Sequence, residues 1–564
     1  MRSTIKIVIL LFFICTSMSG ASFPDMEKYM RQHALIWEQL PMQWNEGAFL
    51  GNGLVGMMVY ADSTLNALVF HLGRPDVTDH RKAPYRKTSI GTEEADKMVD
   101  FCRLEVGKML LFPEGKILSG TFYLDIYNAE LTGHLKTDKG DLTFHAYTPQ
   151  PEEVNIVEVS SGVPYRWKGI PGNPCSPRIR VFPHLKEKLK YKDNPAPVVN
   201  QKDKEGSWVQ SLLAGGDYAT YWKEVPGGKS RSVLYVSTAN EVPASSLSLA
   251  KAMKTVEATQ ITGTKLLKQK TRQWWNAYHE RSFLSIPDKK LENFYFIQMY
   301  KLATCSHPDG PAMDVMGTFF KLSPWPSFWW NLNIQLTYMP IGPANRMEQG
   351  KNFQRLMDEV FPSLVRSIEP CKIGDYTWAL QNYYMYLRYA GADWQDIKQQ
   401  VVPKALDAFA VFDKILCYKE NTWHLTHIES PEYEGFQKYN DSNYGLASLS
   451  WLLQTLIACH DRTSSTHPDY ARWKEILTRL APYPTNENGL MIAANKPLEK
   501  SHRHYSHLLA FYPFRLLHPD VPENRKFLEK SIEHWLSLED GKGLAGYSYT
   551  CLLYTSPSPR DAHE

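Results

Sequence analysis

The chain has 564 residues, 43% of them hydrophobic and 22% charged, which excludes a disordered protein and exceeds what one ordinary core holds. The formal net charge of +3 gives no indication of a nucleic-acid or anionic-surface partner. Aromatic residues make up 13% of the chain, more than core packing requires. This excess indicates either aromatic-rich packing or a site that stacks on apolar faces of a ligand, as carbohydrate sites do.

The N-terminal segment has the pattern of a signal peptide. A positive start at Arg2 and Lys6 precedes a short apolar run, and residues 19–21 are small enough for cleavage. The apolar run is too short to span a bilayer. Cys15 follows a bulky isoleucine, which disfavours a lipoprotein. We therefore expect residues 1–21 to direct export, to the periplasm or the medium.

The C-terminal segment reads CLLYTSPSPRD from residue 551 to residue 561. This string resembles a translation of the transposon-end adapter used to prepare sequencing libraries. We interpret residues 551–564 as a sequencing artefact, the alternative being a natural polar tail. The natural reading frame is then expected to depart from this chain near Thr550.

Residues 22–242 carry strand-like patterns. The stretches GTFYLDIYNAELTGHL, DLTFHAYT and SVLYVST alternate apolar and polar residues, and Gly and Pro interrupt them. The pattern predicts an N-terminal antiparallel β-sandwich domain over this range.

From residue 243 onward, apolar residues recur at intervals of three and four, which predicts helices. We interpret residues 243–285 as a helical linker and residues 286–550 as helix pairs of variable length. A β domain followed by paired helices predicts a helical toroid whose loops frame a central pocket. None of these segments is apolar for long enough to predict a membrane helix.

The stretch WWNLNIQLTY, residues 329–338 and hereafter the amide segment, places Asn331 and Asn333 inside an aromatic and apolar run. Residues two apart point the same way on an extended segment but diverge on a helix. If both amides serve one site, the segment is extended before a helix begins. The alternative is that one asparagine caps a helix.

The stretch THIESPEYEGF, residues 426–436 and hereafter the acid loop, carries Glu429, Glu432 and Glu434. A carboxyl group in an aromatic, partly dry loop has a raised pKa, which suits a general acid near neutral pH. The alternative is three solvated glutamates, and composition alone does not separate the two.

The stretch SHRHYSHLLAFYPF, residues 501–514, contains the heptapeptide HRHYSHL, hereafter the histidine motif, with His502, Arg503, His504 and His507. The histidine spacing occurs in metal sites, but no carboxylate completes an HExxH-like set. We therefore expect neither a metal nor another cofactor. Imidazole and guanidinium groups serve equally well as donors to sugar hydroxyls.

These clusters, in this order, resemble motifs of glycoside hydrolase family 95, whose best-known members are α-L-fucosidases. The similarity extends from about Trp37 to Thr550, and its pieces are more specific together than alone. It is carried by WNEGAFLGNGLVGMMVY at 44–60, WWNAYHERSF at 274–283, PWPSFWWNLNIQLTYMP at 324–340, SPE at 430–432, HRHYSHL at 502–508 and GLAGYS at 543–548.

The resemblance implies an inverting exo-glycosidase with a β-sandwich and an (α/α)6 barrel, the barrel being incomplete at the C-terminus here. By motif, Glu432 is the general acid, and Asn333 holds the attacking water beside Asn331. An amide needs a carboxylate to orient it, which in the family is an Asp of a later segment. We expect that segment to lie beyond Thr550, so that this product is truncated and lacks full activity.

The same resemblance assigns Trp329, His502, Arg503 and His504 to sugar binding. The expected partner is therefore the end of an oligosaccharide or polysaccharide chain. Neither a nucleic acid nor a membrane is expected as a partner, and the oligomeric state is left open.

Two departures from the family pattern concern the sugar. The usual asparagine-rich run after the first strands is replaced by LVFHLGRPDVTDHR, residues 68–81, and the acid loop reads SPEYEG where SPEN is commoner. Fucose, α-L-galactose and other sugars therefore remain open.

Three further alternatives come from other classes of protein: a polysaccharide lyase with His504 and Tyr505 as its acid–base pair, an inverting phosphorylase, and a non-catalytic glycan-binding protein. The order of the two domains disfavours the lyase. The signal peptide disfavours the phosphorylase, because phosphate donors are mainly cytoplasmic.

Overall fold

The computed structural model describes residues 25–79, 81, 102–241, 247–328, 330–435, 437–546 and 548. The predicted signal peptide, the predicted C-terminal artefact and the sugar-binding candidate Trp329 lie outside these residues. Within the described ranges, no helix has both the length and the apolar character that crossing a membrane demands.

Strands form most of the N-terminal part. They are β1 (Leu35–Trp37), β2 (Ala48–Gly51), β3 (Gly56–Asp62), β4 (Ala67–Gly73), β5 (Gly107–Pro113), β6 (Ile117–Asp125), β7 (Glu130–Thr137), β8 (Gly140–Tyr147), β9 (Asn155–Ser161), β10 (Tyr165–Pro171), β11 (Val198–Gln201), β12 (Glu205–Ser211), β13 (Asp217–Gly228) and β14 (Arg231–Glu241). Three short helices accompany them, α1 (Met26–Met30), α2 (Pro177–Val181) and α3 (His184–Lys188).

These strands form two antiparallel sheets. The larger has the order β1-β6-β7-β8-β9-β14-β13-β12-β11 and the smaller the order β10-β5-β4-β3-β2. Apolar side chains of both sheets share one core, in which the rings of Phe70 and Phe144 meet edge to face at 5.5 Å. Along β6 and β7, buried and exposed residues alternate, as the sequence pattern predicts for strands with one solvated face.

Helices predominate after residue 247. They are α4 (Ser248–Thr262), α5 (Thr264–Glu280), α6 (Lys289–Cys305), α7 (Asn333–Tyr338), α8 (Lys351–Glu359), α9 (Phe361–Ser367), α10 (Ile373–Tyr389), α11 (Trp394–Gln400), α12 (Val402–Phe412), α13 (Asn443–Thr463), α14 (Tyr470–Thr478) and α15 (Pro522–Ser537). Three small hairpins lie among them, β15 (Leu416–Lys419) with β16 (Thr422–Leu425), β17 (Ile428–Glu429) with β18 (Lys438–Tyr439), and β19 (Thr485–Asn486) with β20 (Gly489–Leu490).

The helices α10 and α13 are buried on most of their surface, as expected for helices that are apolar on more than one face. They lie in a second large core that is separate from the core of the sheets. The prediction of an N-terminal antiparallel β domain followed by a helical domain is therefore confirmed.

The LGNG motif, residues 50–53, is a junction between the two parts. Gly53 has φ +82°, and its N–H donates to the carbonyl oxygen of Thr304 at 3.0 Å. A Cβ at this position would lie 2.3 Å from the carbonyl carbon of Ser306, so a side chain does not fit. The preceding Asn52 donates to the carbonyl oxygen of Pro149 at 2.8 Å. This motif therefore holds the smaller sheet against the end of α6.

Arg103 fixes the long loop between α6 and α7 to the β domain. It is 1% exposed, and its Nη1 donates to Asp314 Oδ2 at 3.0 Å and to the carbonyl oxygen of Gly317 at 2.7 Å. Further along the loop, Arg178 donates to the carbonyl oxygen of Pro324. Two arginines of the β domain thus position the loop that leads into the amide segment.

The substitution Arg103→Met is expected to destabilise the protein by about 3–5 kcal/mol, because it leaves the Asp314 carboxylate buried without its partner. The matched change Arg366→Met removes an exposed pair with Asp407 at 2.9 Å and is expected to destabilise the protein far less, because water screens exposed ion pairs. Urea unfolding of both variants measures the difference. Equal losses would show that Arg103 does not carry this junction.

Candidate active site

The acid loop forms the tip of the hairpin β17–β18. Within the tip, the N–H of Tyr433 donates to the carbonyl oxygen of Ser430 at 3.1 Å. Glu432 lies between them with φ +55°, a conformation that is uncommon for a residue other than glycine and that concentrates at functional sites. Its side chain is 28% exposed, so the carboxyl group of a largely buried tip still reaches solvent.

Two residues of the histidine motif contact the Glu432 carboxyl group. Arg503 Nη2 pairs with Oε2, and His504 Nε2 lies 3.2 Å from the same oxygen. Burial lowers the pKa of His504 to about 3, and the charge of Arg503 acts in the same direction. His504 is therefore neutral at neutral pH, and its contact with Glu432 is not an ion pair. The positive charge of Arg503 favours the ionised form of Glu432, so this contact opposes the protonated acid that the sequence pattern predicts.

The histidine motif is attached to the acid loop at two further points. His502 Nε2 lies 3.0 Å from the carbonyl oxygen of Pro431, and the hydroxyls of Ser430 and Ser506 are 2.7 Å apart in a buried contact. The ring of His502 also stacks on His504, with centroids 5.2 Å apart. These contacts hold the two residues that precede Glu432.

The stretch GLAGYS, residues 543–548, is hydrogen-bonded to the histidine motif and to the residue that precedes it. The Ser548 hydroxyl donates to the carbonyl oxygen of Arg503 at 2.8 Å, and the N–H of Gly543 donates to Ser501 Oγ at 2.9 Å. Three stretches that carry the family resemblance therefore converge on Glu432.

The amide segment differs from the sequence prediction. Asn331 lies in a turn with φ +66°, and Asn333 is the first residue of α7. The expectation of an extended segment is therefore wrong, and so is the alternative of a capping asparagine, since Leu332 holds the cap position. A turn followed directly by a helix sets the directions of the two amides independently of the two-residue spacing. Within the described residues, neither side-chain amide bonds to another protein group.

Helix α10 holds the amide segment in place. Gln335 Nε2 donates to the carbonyl oxygen of Asp375 at 2.9 Å, and Asn382 Nδ2 donates to the carbonyl oxygen of Gln335 at 3.1 Å. The rings of Trp330 and Tyr376 pack with centroids 5.4 Å apart. The first turns of α10 therefore fix both ends of the Asn331–Asn333 stretch.

Asp375, at the start of α10, is a buried carboxyl group that sequence reasoning missed. The Tyr444 hydroxyl donates to its Oδ1 at 2.5 Å. Burial raises the pKa of Asp375 to about 7, the hydrogen bond from Tyr444 opposes this rise, and the charge of Glu429 adds to it. The sequence signal was a single carboxylate inside the apolar run IGDYTWAL.

Glu429 is a second buried carboxyl group near Asp375, and it belongs to the acid loop. The residue is 9% exposed, and burial raises the pKa of its carboxyl group against the opposing charge of Lys372. The Cys371 thiol, just before α10, donates to Glu429 Oε1 at 3.5 Å. The beginning of α10 thus contacts the acid loop on one side and the amide segment on the other.

The structure therefore joins the predicted residues into two groups. Glu432, His502, Arg503 and His504 form one contact cluster, and Asn331 and Asn333 lie on a segment linked to that cluster through α10. Among the described residues there is no group of three or more His, Cys, Asp or Glu side chains arranged to hold a metal ion. The arrangement is a carboxyl group contacted by an arginine and a neutral histidine, on a loop that is linked through the start of α10 to the segment carrying the two amides.

Comparison with known families identifies the helical part. Residues 368–552 match the model of the Glycosyl hydrolase family 95 catalytic domain, about a third of the chain that includes the acid loop and the histidine motif. The resemblance predicted from the sequence is thereby confirmed for these residues. The protein is a carbohydrate-active enzyme with a glycosidase-type catalytic domain. No curated protein sequence matches the chain.

Solved structures resemble the chain in fold. One, provisionally named a kojibiose phosphorylase and from the human microbiome, has a TM-score of 0.55 at 9% identity and covers 86% of this chain and 76% of its own. A bacterial glucoamylase complexed with acarbose has a TM-score of 0.48 at 9% identity, covering 88% and 82%. The family GH92 α-mannosidase of Bacteroides thetaiotaomicron has a TM-score of 0.32 at 8% identity, covering 86% and 78%. At identities this low, a match is evidence for the fold alone. Only the first of these structures has a TM-score high enough to serve as that evidence.

The titration of Asp375 makes stability depend on pH. Its folded pKa of about 7 exceeds the ordinary value of 3.8, so the unfolded chain loses this proton first as pH rises. The free energy of unfolding of the natural protein is therefore expected to fall, relative to Asp375→Asn, between pH 3.8 and about pH 7, and then to level off. The full change is up to about 4 kcal/mol.

Urea unfolding of both proteins at several pH values measures this difference. Tyr444→Phe removes a hydrogen bond that favours the carboxylate, so in this variant the decline is expected to continue to higher pH. A difference between the natural protein and Asp375→Asn that is constant with pH would contradict the assignment.

Proposed function

We propose that the protein is an exo-acting, inverting glycoside hydrolase of α-L-fucosidase type that releases terminal sugars from glycans or plant polysaccharide side chains. The observation that carries this proposal is the cluster on Glu432, where Arg503 and His504 meet the tip of the acid loop inside the matched catalytic domain. The export predicted from residues 1–21 is part of the proposal.

Glu432 is the proposed general acid. It gives its proton to the glycosidic oxygen as the bond to the anomeric carbon breaks, which leaves a carboxylate. Arg503, in contact with Oε2, stabilises that carboxylate as it forms. The neutral imidazole of His504 limits the water around the same oxygen without adding charge, because His504 is only 4% exposed.

The amides of Asn331 and Asn333 are the proposed holders of the attacking water. An inverting site leaves room for this water by keeping the groups that act on the two faces of the sugar about 6.5–9.5 Å apart. An amide is a weak base, so an orienting carboxylate is required. We assign this role to no described residue and expect it in the later family segment.

The proposed architecture is a β-sandwich followed by an (α/α)6 toroid. The shared core of the two sheets supports the sandwich. The enclosed helices α10 and α13, and the fold similarity to the phosphorylase-named structure, support the toroid. The sugar-binding roles of His502, Arg503, His504 and Trp329 belong to the same proposal.

Two alternatives have specific support. The altered run at residues 68–81 favours a related sugar such as α-L-galactose, which parallel assays on aryl α-L-fucoside and α-L-galactoside separate. An inverting phosphorylase is favoured by the fold of the first solved neighbour and needs no protein base, since phosphate attacks. Product formation that requires phosphate would establish it.

The substitution Glu432→Gln is expected to lower kcat/KM by about 10²–10⁴-fold, because the general acid is lost. The defect is expected to be largest on an oligosaccharide and smaller on a 4-nitrophenyl glycoside, whose leaving group needs little protonation. Kinetics of the enzyme completed from the source gene, alongside this 564-residue chain, provide the measurement.

Glu434→Gln is the matched control, two residues away in the same loop. Its carboxylate pairs with Lys496 at 2.9 Å and is expected to be dispensable for the chemistry. Similar losses of kcat/KM in both variants would reject Glu432 as the acid. So would a Glu432→Gln loss that is the same on the oligosaccharide and on the 4-nitrophenyl glycoside.

A further inference from the structure

A cleft of about 950 Å³ lies between the outer face of the larger sheet and α5. Its floor carries the hydroxyl side chains of Thr132, Thr143 and Ser160 from β7, β8 and β9. None of the residues of the candidate active site lines it. The cleft has the volume of a ligand site, and the acid chemistry does not account for it.

Helix α5 presents a regular polar face to this cleft. Lys265, Gln269, Arg272 and Asn276 follow one another at intervals of three and four, so they lie in a row along the wall. The opposite face of α5, including Trp275, is buried against the protein. The helix is therefore held by its apolar side and offers a row of donors to the cleft.

The cleft concentrates positive charge. Four cations, Arg231, Lys265, Lys268 and Arg272, line it against one carboxylate, Glu158. With the neighbouring Glu130, which binds Arg272, counted as well, the local excess is two charges (four minus two). Such a concentration in a concave surface attracts anions.

Two of these cations already have carboxylate partners, and the other two are available to a ligand. Lys268 pairs with Glu158 at 2.8 Å, and Arg272 binds the neighbouring Glu130. His145 lies between the same two carboxylates, 2.9 Å from Glu130. Arg231, beside the β13–β14 turn, and Lys265, on α5, make no ion pair with any described residue. The available charges thus come from two separate elements that border the cleft.

We propose that this cleft is a second glycan-binding site, which takes an acidic polysaccharide segment carrying uronate carboxylates or sulfate esters. Arg231 and Lys265 bind the acidic groups, and the threonine hydroxyls, Gln269 and Asn276 bind sugar hydroxyls. The ring of Phe144 lies in the core between the two sheets, so the side chains that line the cleft are mainly hydroxyl, amide and cationic groups. The inference rests on the proposed function only in taking polysaccharide as the substrate class.

Affinity electrophoresis of the protein carrying Glu432→Gln tests this proposal without turnover. The gels contain polygalacturonate, a sulfated galactan, a neutral galactan or single-stranded DNA. Retardation by one or both acidic glycans, but not by the neutral one, is expected, and it should weaken as salt is raised. Which acidic gel retards the protein identifies the charged group.

Adding Arg231→Ala and Lys265→Ala is expected to raise the apparent Kd about three- to tenfold, as for the loss of two exposed ionic contacts. Both side chains are exposed, so the fold is retained. The charge-matched control adds Lys474→Ala and Lys526→Ala, both on exposed residues outside the cleft, and should bind like the parent.

Equal weakening in both pairs of variants, tighter retardation by DNA, or no retardation by either acidic glycan would overturn the proposal. Failure of the proposed function is distinguishable from these results. It would appear as absent hydrolysis by the completed enzyme while the cleft still binds the acidic polymer.

Discussion

The attachment of the histidine motif to the acid loop is the interaction on which the site depends. The contacts of His502 with Pro431 and of Ser506 with Ser430 hold the two residues that precede Glu432. They keep this residue in a left-handed conformation that a free loop would rarely adopt. The same motif then supplies the arginine and the neutral histidine that surround the carboxyl group. One segment therefore determines both the position and the electrostatic environment of the proposed acid.

Other contacts of the fold connect the acid loop to the amide segment. Helix α10 contacts the acid loop through Cys371 and the amide segment through Asp375 and Asn382. The β domain contributes from the other side, since Arg103 and the LGNG junction hold the long loop that precedes the amides. The stretches that resemble the family in sequence thus have two different roles in the structure. The LGNG motif joins domains, whereas the histidine motif contacts the carboxyl group of the proposed acid.

The sequence predicted the order of the domains, because alternation and helical periodicity are local signals. Short motifs singled out Glu432 and the histidine motif, but not the contact between them. It did not predict the conformation of Asn331 and Asn333, since their turn and helix start are imposed by packing against α10. Asp375 was missed because only the burial by surrounding helices distinguishes it from an ordinary acidic residue in a first helical turn. The cleft is lined by residues up to 144 positions apart, from Thr132 to Asn276, and no local sequence pattern indicates that they lie together.

The anomeric form of the sugar that is released tests the central claim most directly. Proton NMR can follow hydrolysis of an aryl α-L-fucoside, or of the α-L-galactoside, by the enzyme completed from its source gene. An acid at Glu432 acting opposite a water held by amides predicts that the β-anomer appears first, before mutarotation. First appearance of the α-anomer would contradict the account, and so would a sugar phosphate or an unsaturated product.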